Sequence, residues 1–346
     1  KHAGIIEKYI GDGIMALFPG SADDGVRSGI DMLNQLTLYN NGRTRAGYMP
    51  IRIGIGLNTG LVMMGTVGGH NRMDSTVIGD AVNLASRLEG LTKNYGIPLL
   101  VSANTLYALE DHTAYDIRFL DRLRIKGRYQ AQSVYEVFDA DPEPLRLAKR
   151  ETLGNFEDAL AFYQLGRADL AQPLLQECLR IAPDDWAARI YLERCKDFTH
   201  PVNPGKSELL GMEIGWRDEY SVGIREIDIQ HQQLLARITE FVKSVSTGGA
   251  GLDAMMDRLT EHIASLFDSE ANLMQRYGYP FIEDHLKQHR TFDRFFAELR
   301  QEINCNQRDL LYIIFRIQLI LVDWQINHTI KSDLHLGHFL QRAGVS

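Results

Sequence analysis

Residues 206–346 carry four consecutive helical patterns of hydrophobic residues with very short breaks between them. The patterns lie near residues 228–246, 252–276, 281–304 and 308–332. The breaks are rich in glycine, proline and asparagine, which end helices. Four amphipathic helices joined by short links bury their apolar faces against one another and alternate in direction. This part of the chain is therefore predicted to be an up-down four-helix bundle.

Side chains that bind metals are concentrated in the same helices. His285 and His289 are four residues apart and share one helix face. The further candidates are His231, Glu270, His328 and Asp333. Imidazole and carboxylate sets suit iron, zinc or manganese, and bundle cores can house paired metals. Any one of these histidines alone is more often an ordinary surface or core residue, whereas the set predicts a metal centre.

The spacing of this set resembles the bacterial hemerythrin family over about residues 215–340. The matching segments are Val222-Gly-Ile-x-x-Ile-Asp-x-Gln-His231, Glu270-x-x-Leu-Met, Gly278-Tyr-Pro-x4-His285-x3-His289 and His328-x4-Asp333. The resemblance implies a non-haem di-iron site. One iron would be held by His285, His289 and His328. The carboxylates of Glu270 and Asp333 would bridge, and His231 would hold the second iron beside an open position for dioxygen.

Two positions depart from regular geometry or from the family. Leu266 stands where the family has a histidine four residues before the bridging glutamate, and leucine cannot bind a metal. His262, one turn further back and about 6 Å along the helix axis, is either a substitute ligand or an ordinary outer histidine. The second iron is therefore expected to be weak, completed by solvent, or absent. Asp333 lies about 140° from His328 on a regular helix, which predicts a distorted turn.

Residues 1–140 mix short β runs with helices and predict an α/β domain. Two apolar runs, 5–10 and 15–18, flank Gly11-Asp-Gly and predict a hairpin. Strands are predicted at 51–57 and 133–138, and a helix over 80–91. Asp12 alone could be turn chemistry. Asn83 and Arg87, four apart on one helix face, could clamp a phosphate or simply face solvent.

Three segments of this domain together resemble class III nucleotide cyclases over about residues 1–140. They are residues 7–18, residues 72–87 and Arg124-Ile-Lys126-Gly. The resemblance implies a ferredoxin-like α/β domain that is active as a homodimer and converts ATP to cyclic AMP and pyrophosphate. It assigns Asp12 to Mg²⁺ or Mn²⁺, Lys8 and Thr76 to an adenine-selecting base site, Asn83 to the ribose, and Arg87 and Lys126 to the phosphates. The family's other metal aspartate lies upstream, so we expect a truncated catalytic domain with little activity.

Residues 141–205 are predicted to be helical, with one pair of helices of tetratricopeptide type. A lone repeat is a weak signal, and a spacer or a partner-binding module both remain open. The net charge of -8 argues against broad nucleic-acid binding. Three cysteines without a CxxC pair are typical of a reducing cytoplasm. The most apolar stretch, 310–324, is shorter than a membrane span of about 20 residues and is predicted to be a bundle helix.

The leading hypothesis combines a cyclase domain (1–140), a helical linker (141–205) and an iron-containing bundle (206–346). Such a chain would be an adenylate cyclase that responds to dioxygen or redox state. One alternative is an oxygen- or iron-binding protein with a catalytically dead cyclase remnant. Another is a scaffold whose helical linker recruits a partner.

Overall fold

The computed structural model describes residues 2–69, 72–124, 131–197, 214–246, 251–305 and 308–345. Internal contacts divide the chain into two compact units. Unit 1 comprises Lys1–Ile125, Gln132–Leu160 and Ala171–Phe198, and unit 2 comprises Lys126–Ala131, Ala161–Leu170 and Thr199–Ser346. The three-part division at residues 140 and 205 stays a prediction. A sheet-containing N-terminal part and a helical C-terminal part confirm the predicted fold classes.

Strands and helices alternate up to residue 137, and helices follow. The elements are β1 (Ile5–Ile10), β2 (Gly13–Leu17), α1 (Ala22–Arg45), β3 (Ile55–Leu57), β4 (Met63–Gly69), β5 (Arg72–Ile78), α2 (Asp80–Tyr95), β6 (Leu99–Ser102), α3 (Ala103–Ala108), a 3₁₀ turn (His112–Ala114), β7 (Ile117–Arg124), β8 (Ala131–Val137), α4 (Glu143–Glu151), α5 (Leu153–Gln164), α6 (Ala168–Ile181) and α7 (Trp186–Lys196).

The described strands of this part of the chain form three sheets. The β1–β2 and β4–β5 pairs are antiparallel hairpins, and the largest sheet has the strand order β3-β6-β8-β7. The turn between β1 and β2 places Gly11 at a φ of +62°, a left-handed conformation that glycine adopts without steric cost. The predicted hairpin is thus confirmed. The strand predicted over 51–57 is shorter, since only Ile55–Leu57 pairs with β6.

A buried network of charges ties the last two strands of unit 1 to the helices that follow. Arg118 on β7 donates to Glu136 on β8 at 2.5 Å and forms a two-pronged pair with Asp185 at 2.7 and 2.8 Å. Lys149 on α4 donates to Glu136 and to Asp141, both at 2.6 Å. Buried charges are tolerated when each is paired and hydrogen-bonded. The network therefore binds α4 and the start of α7 to the sheet.

The C-terminal part forms the predicted bundle of four long helices. They are α8 (Arg225–Ser246), α9 (Leu252–Tyr277), α10 (Ile282–Cys305) and a last helix made of α11 (Leu310–Ile317), a π segment (Gln318–Asp323), α12 (Trp324–His328), a second π segment (Thr329–Asp333) and α13 (Leu334–Arg342), with a short 3₁₀ turn, Asp218–Tyr220, before α8. Consecutive helices pack together, and the last packs against α8.

The last helix is longer than its sequence pattern predicted, because it continues beyond residue 332 to Arg342. By length and composition alone the helix Leu310–Arg342 could cross a membrane, because it contains an 18-residue window with a mean hydropathy of 1.3. However, 67% of that apolar window is buried inside the structure. Burial against neighbouring helices accounts for its apolar character, as predicted for a bundle helix.

Candidate metal centre and nucleotide site

Six predicted ligands from all four bundle helices meet in the core of the bundle. None is more than 4% exposed: His231, Glu270, His285, His289, His328 and Asp333. Five of them, all except His231, offer ligand atoms that lie within 4.8 Å of one another. Ligand atoms about 2.1 Å from one ion and at right angles are about 3 Å apart. The observed separations of 3.0 to 3.3 Å within this group match such a site.

Each of the two carboxylates directs one oxygen at the group of three histidines and the other at His231. Glu270 Oε2 lies 3.2 Å from His285 Nε2 and 3.1 Å from His289 Nε2. Asp333 Oδ1 lies 3.0 Å from His328 Nε2. The other oxygens turn to His231, whose Nε2 is 3.5 Å from Glu270 Oε1 and 3.3 Å from Asp333 Oδ2. This arrangement can place one metal among three histidines and a second beside His231, with both carboxylates between them.

The π segment Thr329–Asp333 brings Asp333 onto the face of His328. A π turn closes its hydrogen bonds five residues apart instead of four. Residues separated by five positions therefore share a face there. Asp333 is fully buried and its Oδ1 approaches His328 Nε2. The distorted turn predicted for this pair is confirmed.

Buried polar atoms of this cluster lack hydrogen bonds of good geometry within the described part of the chain. They include both ring nitrogens of His231, both oxygens of Asp333, and Glu270 Oε1. Unpaired buried polar atoms are costly, and a cation would satisfy them together. The set of three or four imidazoles and two carboxylates suits iron. The residues present therefore fit a metal centre of the predicted type.

Burial and close contacts within the cluster shift the pKa values of its members. Burial and the charge of Asp333 act to raise the pKa of Glu270, but hydrogen bonds from histidines outweigh both and lower it. Burial acts to lower the pKa of His231, but its contacts with Asp333 and Glu270 raise it to about 9. These shifts come from close contacts between the imidazoles and the carboxylates, and a metal that binds the same atoms competes with their protons.

Aromatic side chains that the sequence analysis missed fix two of the histidine rings. Phe267 stacks on His289 with ring centroids 3.8 Å apart, and Trp324 stacks on His328 at 4.6 Å. Trp324 lies four residues before His328, a same-face spacing that could have identified it. Such stacking restricts ring rotation and so holds the ligand nitrogens in place.

The side of the centre near His231 has fewer candidate ligand atoms. Leu266 is fully buried one turn before Glu270, where it offers no ligand atom. The half-buried His262 is turned elsewhere, because its Nε2 lies 2.9 Å from the backbone oxygen of Gln230. A cavity of about 10 Å³ adjoins His231, room for one molecule about the size of water. Its lining consists of Trp216, Tyr220, His231, Leu235, Gln325, Ile326 and Thr329.

The candidate nucleotide residues lie at the surface of unit 1. Asp12 is exposed in the β1–β2 turn, and Lys8 is half-buried on β1. Asn83 and Arg87 are both exposed and lie one turn apart on α2, whereas Leu84 and Leu88 of the same helix are buried. A carboxylate oxygen such as that of Asp12 is a ligand that Mg²⁺ prefers, and an exposed guanidinium can contact phosphates.

Two of the predicted nucleotide residues cannot be located fully. Thr76 lies on β5, where its backbone pairs with Gly65, but its side chain is outside the described part of the structure. Lys126 lies outside the described residues. The structure therefore groups Asn83 with Arg87 and leaves the remaining assignments as predictions.

Both parts of the chain are similar to known proteins. Residues 8–138 match the family described as "Adenylate and Guanylate cyclase catalytic domain". The chain is 45% identical over 140 residues to an adenylate cyclase of Anabaena cylindrica, covering 39% of this chain and 28% of that protein. It is 36% identical over 200 residues to the terminal-differentiation specific adenylate cyclase of Dictyostelium discoideum, covering 56% of this chain and 9% of that protein.

The C-terminal region has a different relative. It is 29% identical over 119 residues to a bacteriohemerythrin of Stenotrophomonas maltophilia (strain R551-3), covering 34% of this chain and 74% of that protein. The chain spans less than a third of each of the two adenylate cyclases named above. The resemblances to a cyclase catalytic domain and to bacteriohemerythrin are both confirmed.

Proposed function

We propose that this chain, with its cyclase catalytic segment and its hemerythrin-like region, belongs to a cytoplasmic adenylate cyclase that responds to dioxygen or redox state. The observation that carries the proposal is the buried group of three histidines and two carboxylates in the same chain as the cyclase segment. A cluster of this kind is stable when a cation compensates its carboxylates. An iron centre supplies reversible electron or ligand exchange when it is bound.

The metal-binding side chains have distinct roles in this proposal. His285, His289 and His328 would hold one iron, and the carboxylates of Glu270 and Asp333 would contribute to both iron positions. His231 stands on the side where a cavity adjoins the centre, so a small molecule such as dioxygen would enter there.

The cyclase part acts on ATP in this proposal. The 3′-hydroxyl of ATP attacks the α-phosphorus and pyrophosphate leaves. Arg87 and Lys126 stabilise the charge that builds on the phosphates. Asn83 orients the ribose, and Lys8 and Thr76 select adenine over guanine. A divalent cation at Asp12 neutralises phosphate charge when it is bound, and a second copy of the chain completes the site.

The metal part is tested by loading the full chain with Fe²⁺ under nitrogen, followed by metal analysis and absorption spectra before and after exposure to air. We expect bound iron and a spectral change on exposure. The His289→Ala variant should lose iron, whereas His338→Ala, which replaces an exposed histidine of the same bundle, should keep it. A folded chain without iron would overturn this part and favour a structural role for the bundle.

The cyclase part is tested by product formation from ATP and GTP in the protein that contains this chain. We expect cyclic AMP and no cyclic GMP, with a loss of turnover on the order of 10²-fold in Arg87→Ala. Lys93→Ala removes another exposed cation from α2 and should leave turnover unchanged. Iron binding without any nucleotide turnover would instead support the oxygen- or iron-binding protein with a dead cyclase remnant.

A further inference from the structure

One metal-binding histidine has a side-chain partner for its second ring nitrogen. His328 directs Nε2 at Asp333 Oδ1, 3.0 Å away. Its Nδ1 lies 2.9 Å from Oε1 of Gln288. The hydroxyl of Ser332 donates to the same amide oxygen at 2.7 Å. An amide oxygen only accepts hydrogen bonds, so His328 donates through Nδ1 and keeps the lone pair on Nε2 for a metal.

The other histidines of the cluster differ in this respect. Nδ1 of His231, His285 and His289 has no hydrogen-bond partner within the described ranges. A hydrogen bond at the outer nitrogen fixes the tautomer of a ligand histidine and increases its basicity. His328 is thus the histidine of this centre whose proton position depends on a neighbouring side chain.

Gln288 occupies a position from which it can reach His328 without entering the core. It lies on α10 directly before His289, and its residue is exposed to solvent. Its contacts with His328 and Ser332 join α10 to the last helix at the edge of the metal cluster. Because Gln288 is exposed, its replacement should not disturb the packing of the bundle.

We propose that Gln288 is a positioning residue that holds His328 in the metal-binding tautomer and sets how strongly this histidine donates to the metal. The inference rests on the proposed iron site. A neutral acceptor such as the glutamine amide gives moderate basicity. A carboxylate in the same place increases the basicity of the imidazole and favours the more highly charged ferric state over the ferrous state.

The test compares the full chain with three variants: Gln288→Leu, Gln288→Glu and Gln301→Leu, the last replacing another exposed glutamine of α10. The measurements are the dissociation constant of Fe²⁺ in competition with a chelator and the Fe³⁺/Fe²⁺ midpoint potential. Loss of an outer partner of a metal ligand costs about 10–100-fold in metal affinity, which is the effect expected for Gln288→Leu. Gln288→Glu should keep the affinity and move the potential to more negative values, about 59 mV for each tenfold preference for ferric iron. Gln301→Leu should match the unmodified chain.

The tautomer itself is read from long-range ¹H–¹⁵N NMR spectra of the Zn²⁺-loaded protein, which show which ring nitrogen carries the hydrogen. We expect the hydrogen of His328 on Nδ1 in the unmodified chain. If all four proteins bind iron with the same affinity and potential, Gln288 has no positioning role. If the unmodified chain binds no metal, the iron site fails first and this inference fails with it.

Discussion

Replacing Leu266 with histidine should destabilise the bundle less in the presence of metal than in its absence. Leu266 is fully buried, and loss of its apolar burial costs about 1.5–3 kcal/mol. An imidazole in its place without a hydrogen-bond partner costs about 1–3 kcal/mol more. Without metal the bundle should therefore lose about 2.5–6 kcal/mol of stability. With metal present, the new imidazole completes the incomplete side near His231, and tighter binding by 10–100-fold returns about 1.4–2.7 kcal/mol.

The assay is thermal unfolding followed by circular dichroism, with and without Fe²⁺, together with the number of irons bound per chain. The Leu266→His variant should show a larger gain in Tm on metal addition than the unmodified chain and a higher iron content. Leu259→His is the matched control, because Leu259 is 1% exposed on the same helix but nearly three turns from Glu270. It should be destabilised in both states. Equal loss of Tm with and without metal for Leu266→His would refute the reasoning.

Three further predictions concern His262, Asp185 and Cys305. The His262→Ala variant should leave the iron content unchanged, because the His262 ring contacts the backbone carbonyl of Gln230. A loss of iron in metal analysis would identify His262 as a ligand. Asp185→Asn breaks a buried pair with Arg118 and should cost about 3–5 kcal/mol in chemical denaturation. Burial acts to raise the pKa of Asp185, but the pairing with Arg118 outweighs it and lowers that pKa. The contribution of Asp185 to stability is therefore complete above about pH 4 and is lost as the pH falls through the lowered pKa of the folded state. If the variant and the unmodified chain unfold in acid with the same profile, this reasoning is wrong. Cys305, the exposed cysteine of the three, should be alkylated first in the native protein, as mass spectrometry of peptides would show.

The meeting of the candidate metal-binding side chains in the bundle core was largely predictable, because most of them follow helix geometry. His285 and His289 are four residues apart, and four amphipathic patterns with short breaks leave few ways to arrange a bundle. The role of Gln288 could not be predicted. Its partner His328 lies 40 positions away in the sequence, and nothing local marks an exposed glutamine as a neighbour of a buried histidine.

The connection between the sheet and the following helices was also missed. Sequence patterns marked residues 141–205 as a linker because Asp141-Pro-Glu-Pro is typical of a boundary. Yet Asp185 pairs with Arg118, 67 positions earlier. Long-range ion pairs of this kind leave no periodic signal, since each residue alone is an ordinary charged residue of a helix cap or strand. Only the three-dimensional arrangement shows that both are buried.

The π segment between His328 and Asp333 changes how related centres should be sought in other sequences. A π turn holds one residue more than an α turn. With one residue fewer, a histidine and an aspartate four positions apart would share a face of an ordinary α-helix. The number of intervening residues is thus free to vary by one, provided that the helix changes its winding to match. A search that demands a fixed interval will overlook chains that build the same centre, whereas one that asks for a shared face will find both.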